Sequence, residues 1–99
     1  MDIQQLLQNA DLQVYTADWC PDCRLLDRWL SANSIQHTKI NIETVDGAVE
    51  KLERETGKRA IPFIHVNNTH WVRGYHKELP SRFNPEILIQ DLATALQGQ

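Results

Sequence analysis

The sequence lacks a long apolar run, an excess of positive charge, and all but two of the cysteines a stapled protein would need. With no apolar stretch near the roughly twenty residues a membrane helix requires, nothing is expected to span a bilayer. Ten Lys and Arg against thirteen Asp and Glu leave a net charge of −3. No basic field therefore argues for nucleic acid or an anionic membrane surface. The opening "MDIQQLLQNADLQ" has no positive start and no long apolar core, which argues against a secretion signal and for a cytoplasmic protein. Two cysteines are too few for a disulfide framework, and in a reducing compartment they point to redox or metal chemistry. Repeats, low-complexity tracts and linkers are also missing. A chain of 99 residues that is 41% hydrophobic can bury one core, so residues 1–99 read as a single domain.

What is present is concentrated in "TADWCPDCRLLDRWL", residues 16–30. Before it, "DIQQLLQNA" places Ile3, Leu6 and Leu7 at helical spacing, and "LQVYT", 12–16, reads as a strand. Pro21 suits the first turn of a helix, where its missing N–H does no harm. Leu25, Leu26, Trp29 and Leu30 then form an apolar face, with Arg24, Asp27 and Arg28 outward. Asn33 is the expected left-handed stop. "IQHTKINI", 35–42, reads as a second strand. A second helix over 47–56 would be capped by Thr44 or Asp46 and ended by Gly57. It would bury Ala48, Val49 and Leu52 and pair Glu50 with Arg54. "FIHV" and "HWVR" flank "NNT" as a hairpin. "NPEILIQDLATAL" opens with Asn84 as cap and Pro85 in first place, burying Leu88, Leu92, Ala95 and Leu96. The order is (α)βαβαββα. It predicts an α/β fold: a four-stranded mixed sheet with a parallel crossover, a closing hairpin and helices on both faces.

The cysteine pair falls where a strand gives way to a helix. A thiol does redox work as its thiolate, and a helix N-terminus favours that form. Cys20 sits at this edge and is expected to be the exposed nucleophile. Cys23, about one turn further in, is within reach to resolve a mixed disulfide. Pro21 removes an N–H that could have served the thiolate, and Asp22 adds a nearby negative charge that opposes it. Both favour a reducing pair. In "RAIPFIHV", Pro62 opens a strand and cannot donate to its ladder. A cis Ile61–Pro62 bond would give it a role, leaving the Ile61 backbone to pair with an extended substrate.

With these pieces together the chain resembles the thioredoxin superfamily at glutaredoxin size, over about residues 11–97. "WCPDC" follows a strand, "AIP" stands where Thr-Val-Pro is usual, and "FIHVNNTHWVRG" is similar to the family's closing hairpin and glycine. The resemblance implies a thioredoxin fold and a thiol–disulfide oxidoreductase working through a Cys20–Cys23 dithiol/disulfide. Trp19, Pro21, Asp22, Arg59, Ile61, Pro62, Gly74 and Tyr75 are the candidate substrate contacts. It implies no bound cofactor or metal. The electron donor would be glutathione or a thioredoxin-reductase-type enzyme, and the substrates disulfide-containing proteins or small thiols. A monomer is expected.

The departures from the pattern leave the donor open. Glutathione-using glutaredoxins usually carry Lys or Arg three before the first cysteine and Tyr in the third motif position; here stand Ala17 and Asp22. "RGYHKE" replaces Gly-Gly and an acidic pair, and Val14 replaces thioredoxin's buried aspartate. "RFNPE" loosely resembles redoxins that feed ribonucleotide reductase, so a dedicated electron donor is one alternative. Another is a binding module in which the C-x-x-C holds an iron–sulfur cluster, or zinc together with His65 and His70. His37, His65, His70 and His76 otherwise read as surface or strand residues, and Trp29 and Trp71 as packing.

Overall fold

The computed structural model describes residues 3–76, 78–80 and 82–97. The expectations placed on Asp2 and on the side chain of Ile3 lie outside what is described. The elements in chain order are α1 (Ile3–Leu7), β1 (Leu12–Thr16), α2 (Pro21–Ala32), β2 (Thr38–Asn41), α3 (Ala48–Thr56), β3 (Phe63–Val66), β4 (His70–Arg73) and α4 (Pro85–Gln97).

Strand order is β2-β1-β3-β4, with β1 parallel to β2 and the other two pairings antiparallel. This is the mixed α/β sheet that the alternation of patterns predicts. Because side chains alternate across a strand, the sheet buries two different sets. Leu12, Val14, Ile64, Val66 and Val72 meet Leu26 and Leu30 of α2 and Leu88, Leu92 and Ala95 of α4. Tyr15 and Phe63 meet Ala48 and Leu52 of α3 on the opposite side. Among the described residues no helix is long and apolar enough to cross a membrane.

Local chemistry explains most boundaries. The Asn84 carboxamide accepts from the Ile87 N–H at 3.1 Å, capping α4 as its sequence suggests. Asn67 and Asn68 both take left-handed φ values, 52° and 58°, and the Thr69 N–H returns to the Val66 carbonyl at 3.0 Å. That is the turn geometry a right-handed hairpin accepts.

Four details differ from the sequence reading. Asn33 caps α2 with φ −99°; the left-handed residue is the next one, Ser34, at 56°. The Ile35 N–H then returns to the Leu30 carbonyl at 2.9 Å, and His37 Nδ1 hydrogen-bonds the Ile35 carbonyl at 2.8 Å. Those bonds delay β2 to Thr38. α3 takes neither Thr44 nor Asp46 as its cap. Gly47, at φ 82°, stands there with no side-chain cap, a conformation that suits glycine. Arg54 approaches Glu55 at 3.8 Å rather than Glu50.

Candidate functional site

The register assembles the site. Tyr15 pairs with Phe63, and Phe63 pairs with Arg73. One step beyond these partners lie the end of β1, Pro62 and Gly74. The turn that carries the two cysteines follows β1, and Ile61, next to Pro62, packs against them. The Ile61–Pro62 peptide is cis, and the Gly74 N–H donates to the Pro62 carbonyl at 3.0 Å. Across β1, the Ile42 N–H continues the ladder to the Thr16 carbonyl at 2.9 Å.

Cys20 is the N-cap of α2, and its sulfur accepts the Cys23 N–H at 3.1 Å. Both cysteines are free thiols. Cys20 is not the exposed residue expected from its edge position: it is 4% exposed and Cys23 2%. Ala17, Ile42 and Ile61 pack around the pair and cover it. Burial, and then a hydrogen bond given to Cys20, push the Cys23 thiol up to about 12; the Thr16 hydroxyl and the Ala17 backbone pull the other way. Cys23 is thus held as a thiol that supports Cys20.

The remaining candidates separate by what they touch. Trp19 is 60% exposed and stands next to Cys20. Pro21 is exposed at the start of α2, and Ile61 is half-buried against the cysteines. Gly74 is buried, and a Cβ there would lie 2.8 Å from Leu26 Cδ2 and 3.2 Å from Pro62 Cγ. The space a side chain at Gly74 would take is already filled by Leu26 and Pro62. Tyr75 is a core residue, edge-on to Phe63 at 6.2 Å and covered by the Arg73 guanidinium at 5.3 Å. Arg59 is exposed and occupied by Glu53 on α3.

Asp22 departs most from its expected role. Arg82 holds both of its oxygens, Nε to Oδ1 at 3.0 Å and Nη2 to Oδ2 at 2.5 Å. That pairing holds the Asp22 carboxyl below the usual carboxylate range. Arg82, Ile42 and Thr16 were not singled out from sequence. Arg82 lies within "RFNPE", but nothing in that stretch points back to the cysteines.

The histidines offered as zinc ligands are used elsewhere. His65 is buried and stacks on Trp71, centroids 4.0 Å apart and 7° from parallel. The His70 ring meets the Thr69 hydroxyl at 2.9 Å. Among the described residues no three His, Cys, Asp or Glu side chains converge as a metal group. His76 is not a surface residue: it is fully buried, and its Nδ1 accepts the Asn84 N–H at 3.1 Å.

The family model for glutaredoxin matches residues 12–71, which spans β1, the cysteine pair, Pro62 and the start of β4. The chain belongs to the glutaredoxin family. Among solved structures it is similar to a mutant of the thioredoxin-like protein BC3987, at TM-score 0.64 and 20% identity, over 83% of this chain and 94% of that one. It is also similar to wheat glutaredoxin, at TM-score 0.53 and 20% identity, over 71% of this chain and 72% of that one. At that identity the two show the thioredoxin-like fold. No curated protein matches the chain. Family and fold together support thiol–disulfide oxidoreductase chemistry in general.

Proposed function

We propose that this glutaredoxin-family protein reduces disulfides of proteins or small thiols through a Cys20–Cys23 dithiol. The carrying observation is the geometry of the pair: Cys20 caps the N-terminus of α2, and its sulfur accepts the Cys23 N–H at 3.1 Å. The Cys20 thiolate attacks one sulfur of the substrate disulfide. The S–S bond breaks, and the departing sulfur leaves with the electron pair as a thiolate. Cys23, losing its proton to that thiolate or to water, then attacks Cys20 in the mixed disulfide. The second substrate thiol is released and the Cys20–Cys23 disulfide forms. Two electrons pass to the substrate. Glutathione or a thioredoxin-reductase-type enzyme returns them. Trp19 and the Ile61–Pro62 segment border Cys20 and receive the substrate.

The roles are tested by substitution. Cys20→Ser is expected to abolish disulfide reduction, while Cys23→Ser retains attack and accumulates a mixed disulfide visible by mass. Faster alkylation of Cys23 than of Cys20 at neutral pH would reverse the assignment. Offering the oxidised protein glutathione and thioredoxin reductase in parallel identifies the donor.

A further inference from the structure

Asp22 stands in the first turn of α2, between Pro21 and Cys23. An unpaired carboxylate there would repel a Cys20 thiolate and weaken the helix-end field that favours it. Its partner arrives from far along the chain. Arg82 lies 60 residues away, and its Nε and Nη2 engage the two carboxylate oxygens side by side. Bidentate pairing of this kind fixes geometry as well as charge.

The backbone is shaped to make the delivery. Arg82 has φ 59°, a left-handed conformation uncommon for a residue with a side chain. Such a conformation persists where its surroundings over-determine it. Here the His76 N–H donates to the Arg82 carbonyl at 2.8 Å, and the Arg82 N–H donates to the Leu79 carbonyl at 3.1 Å. The buried His76 ring in turn accepts the Asn84 N–H at the cap of α4. The segment after β4 is thereby tied at both ends to the fold, and Arg82 is aimed from it at the cysteine motif.

We propose that Arg82 is a positioning residue for the dithiol: it grips Asp22 in a bidentate fork, cancels that charge beside Cys20, and so sets the redox poise from the segment following β4. The inference rests on the reading of Cys20 as the exchanging thiol. The Arg82 guanidinium responds first to Asp22 and also to charge on Cys20, which places it within the field of both. Without the guanidinium, the Asp22 carboxylate disfavours the Cys20 thiolate. The reduced form loses stabilisation and the pair becomes more reducing. Without the carboxylate, the guanidinium alone favours the thiolate and the pair becomes more oxidising. Removing both returns the field close to its starting value.

The test is a double-mutant cycle read as a reduction potential. Wild type, Arg82→Gly, Asp22→Asn and the double variant are equilibrated in glutathione redox buffers, trapped by alkylation and resolved by mass. Glycine is chosen at residue 82 because it accepts the left-handed backbone while removing the fork. Arg82→Gly is expected to shift the equilibrium toward a more reducing pair by about tenfold, which corresponds to roughly 30 mV for a two-electron couple. Asp22→Asn is expected to shift it the other way, and the double variant to fall within about twofold of wild type. Arg82→Lys, which keeps the charge without the fork, should recover part of the loss. A folded Arg82→Gly that titrates with wild type overturns the proposal, as does a double variant displaced as far as Arg82→Gly. If Arg82→Gly fails to fold, Asp22→Asn carries the test alone, and an unchanged potential there overturns the proposal equally. Failure of the oxidoreductase reading would look different: Cys20→Ser would leave disulfide reduction intact, whatever residue 82 does.

Discussion

The backbone N–H of Cys23 points at the sulfur of Cys20 from 3.1 Å, so the residue that would close the disulfide also supports its partner. The Cys23 thiol itself is held back. Burial and its hydrogen bond to Cys20 raise it from 9.0 to about 12. Between those values the unfolded chain has released a proton that the folded chain keeps. The Cys23 contribution to the stability of the reduced protein is therefore expected to be level below about 9 and to be lost as pH rises through that window. Urea midpoints of wild type and Cys23→Ser over this range test it. Two curves of the same slope would remove Cys23 as the cause.

Gly74 is expected to tolerate no side chain. A Cβ would lie 2.8 Å from Leu26 Cδ2 and 3.3 Å from the Pro62 carbonyl oxygen, against a helix already packed. Gly74→Ala should cost about 1–3 kcal/mol, the usual range for overpacking. Leu26→Ala alone should cost about 2–5 kcal/mol as a cavity. Combined, the two should cost less than their sum, because the truncated side chain makes room. Strict additivity in chemical denaturation would show that the contact with Leu26 does not decide the matter.

His65 should make the fold acid-sensitive. Burial lowers its pKa below the ordinary 6.5, with Lys51 adding to the effect and Glu55 and Asp11 opposing it. As pH drops below 6.5, the unfolded chain binds the proton first. Stability is thus expected to decline on acidification, by linkage. His65→Phe preserves a ring against Trp71 and removes the titration. Its thermal midpoint should vary less between neutral and mildly acidic pH than that of wild type. An equal acid response in both proteins would count against His65.

Trp19 separates stability from exchange. At 60% exposed its indole contributes little to the core, so Trp19→Ala should change stability by no more than about 0.5 kcal/mol. As a large apolar surface beside Cys20 it is expected to serve protein substrates. KM for a protein disulfide should rise by about tenfold, with a smaller change for a small disulfide, because losing a buried aromatic contact typically costs more than 1 kcal/mol. Equal kinetics with both substrates would take Trp19 out of the site.

Much of the fold was legible because its signals are local. Pro21 and Leu26 of α2, the Asn84-Pro85 start of α4 and the Asn67-Asn68 turn each carry their meaning within a few residues. Pro62 stood out as a proline that opens a strand and cannot donate to its ladder, and the family pattern around "AIP" points to the same residue. What escaped was set by tertiary contact. Asp22 looks like an unopposed charge until a residue 60 positions away is placed on it. Cys20 looks exposed at a helix edge until Ile42 and Ile61, from two other segments, close over it. Gly74 gives no sign in its own stretch that Leu26, from another element, fills the space a side chain there would take. Tyr75 lies next to that glycine, yet Phe63 and Arg73 bury its ring. No spacing rule within a strand or helix carries any of these facts.

The placement of β1 inside the sheet bears on how the chain matures during synthesis. β1 needs β2 on one side and β3 on the other, and Leu12 meets its antiparallel partner only at Val66. A nascent chain that has emerged only through α3 carries the whole C-P-D-C motif but neither the strand that completes its support nor Ile61, which covers it. During that interval the thiols are open to chaperones and oxidants alike. Protection should begin only when β3 clears the ribosome, since domains fold as units and non-local pairing waits for its partner. Thiol labelling of stalled chains of increasing length would time the event, and early protection in chains ending before residue 61 would contradict it.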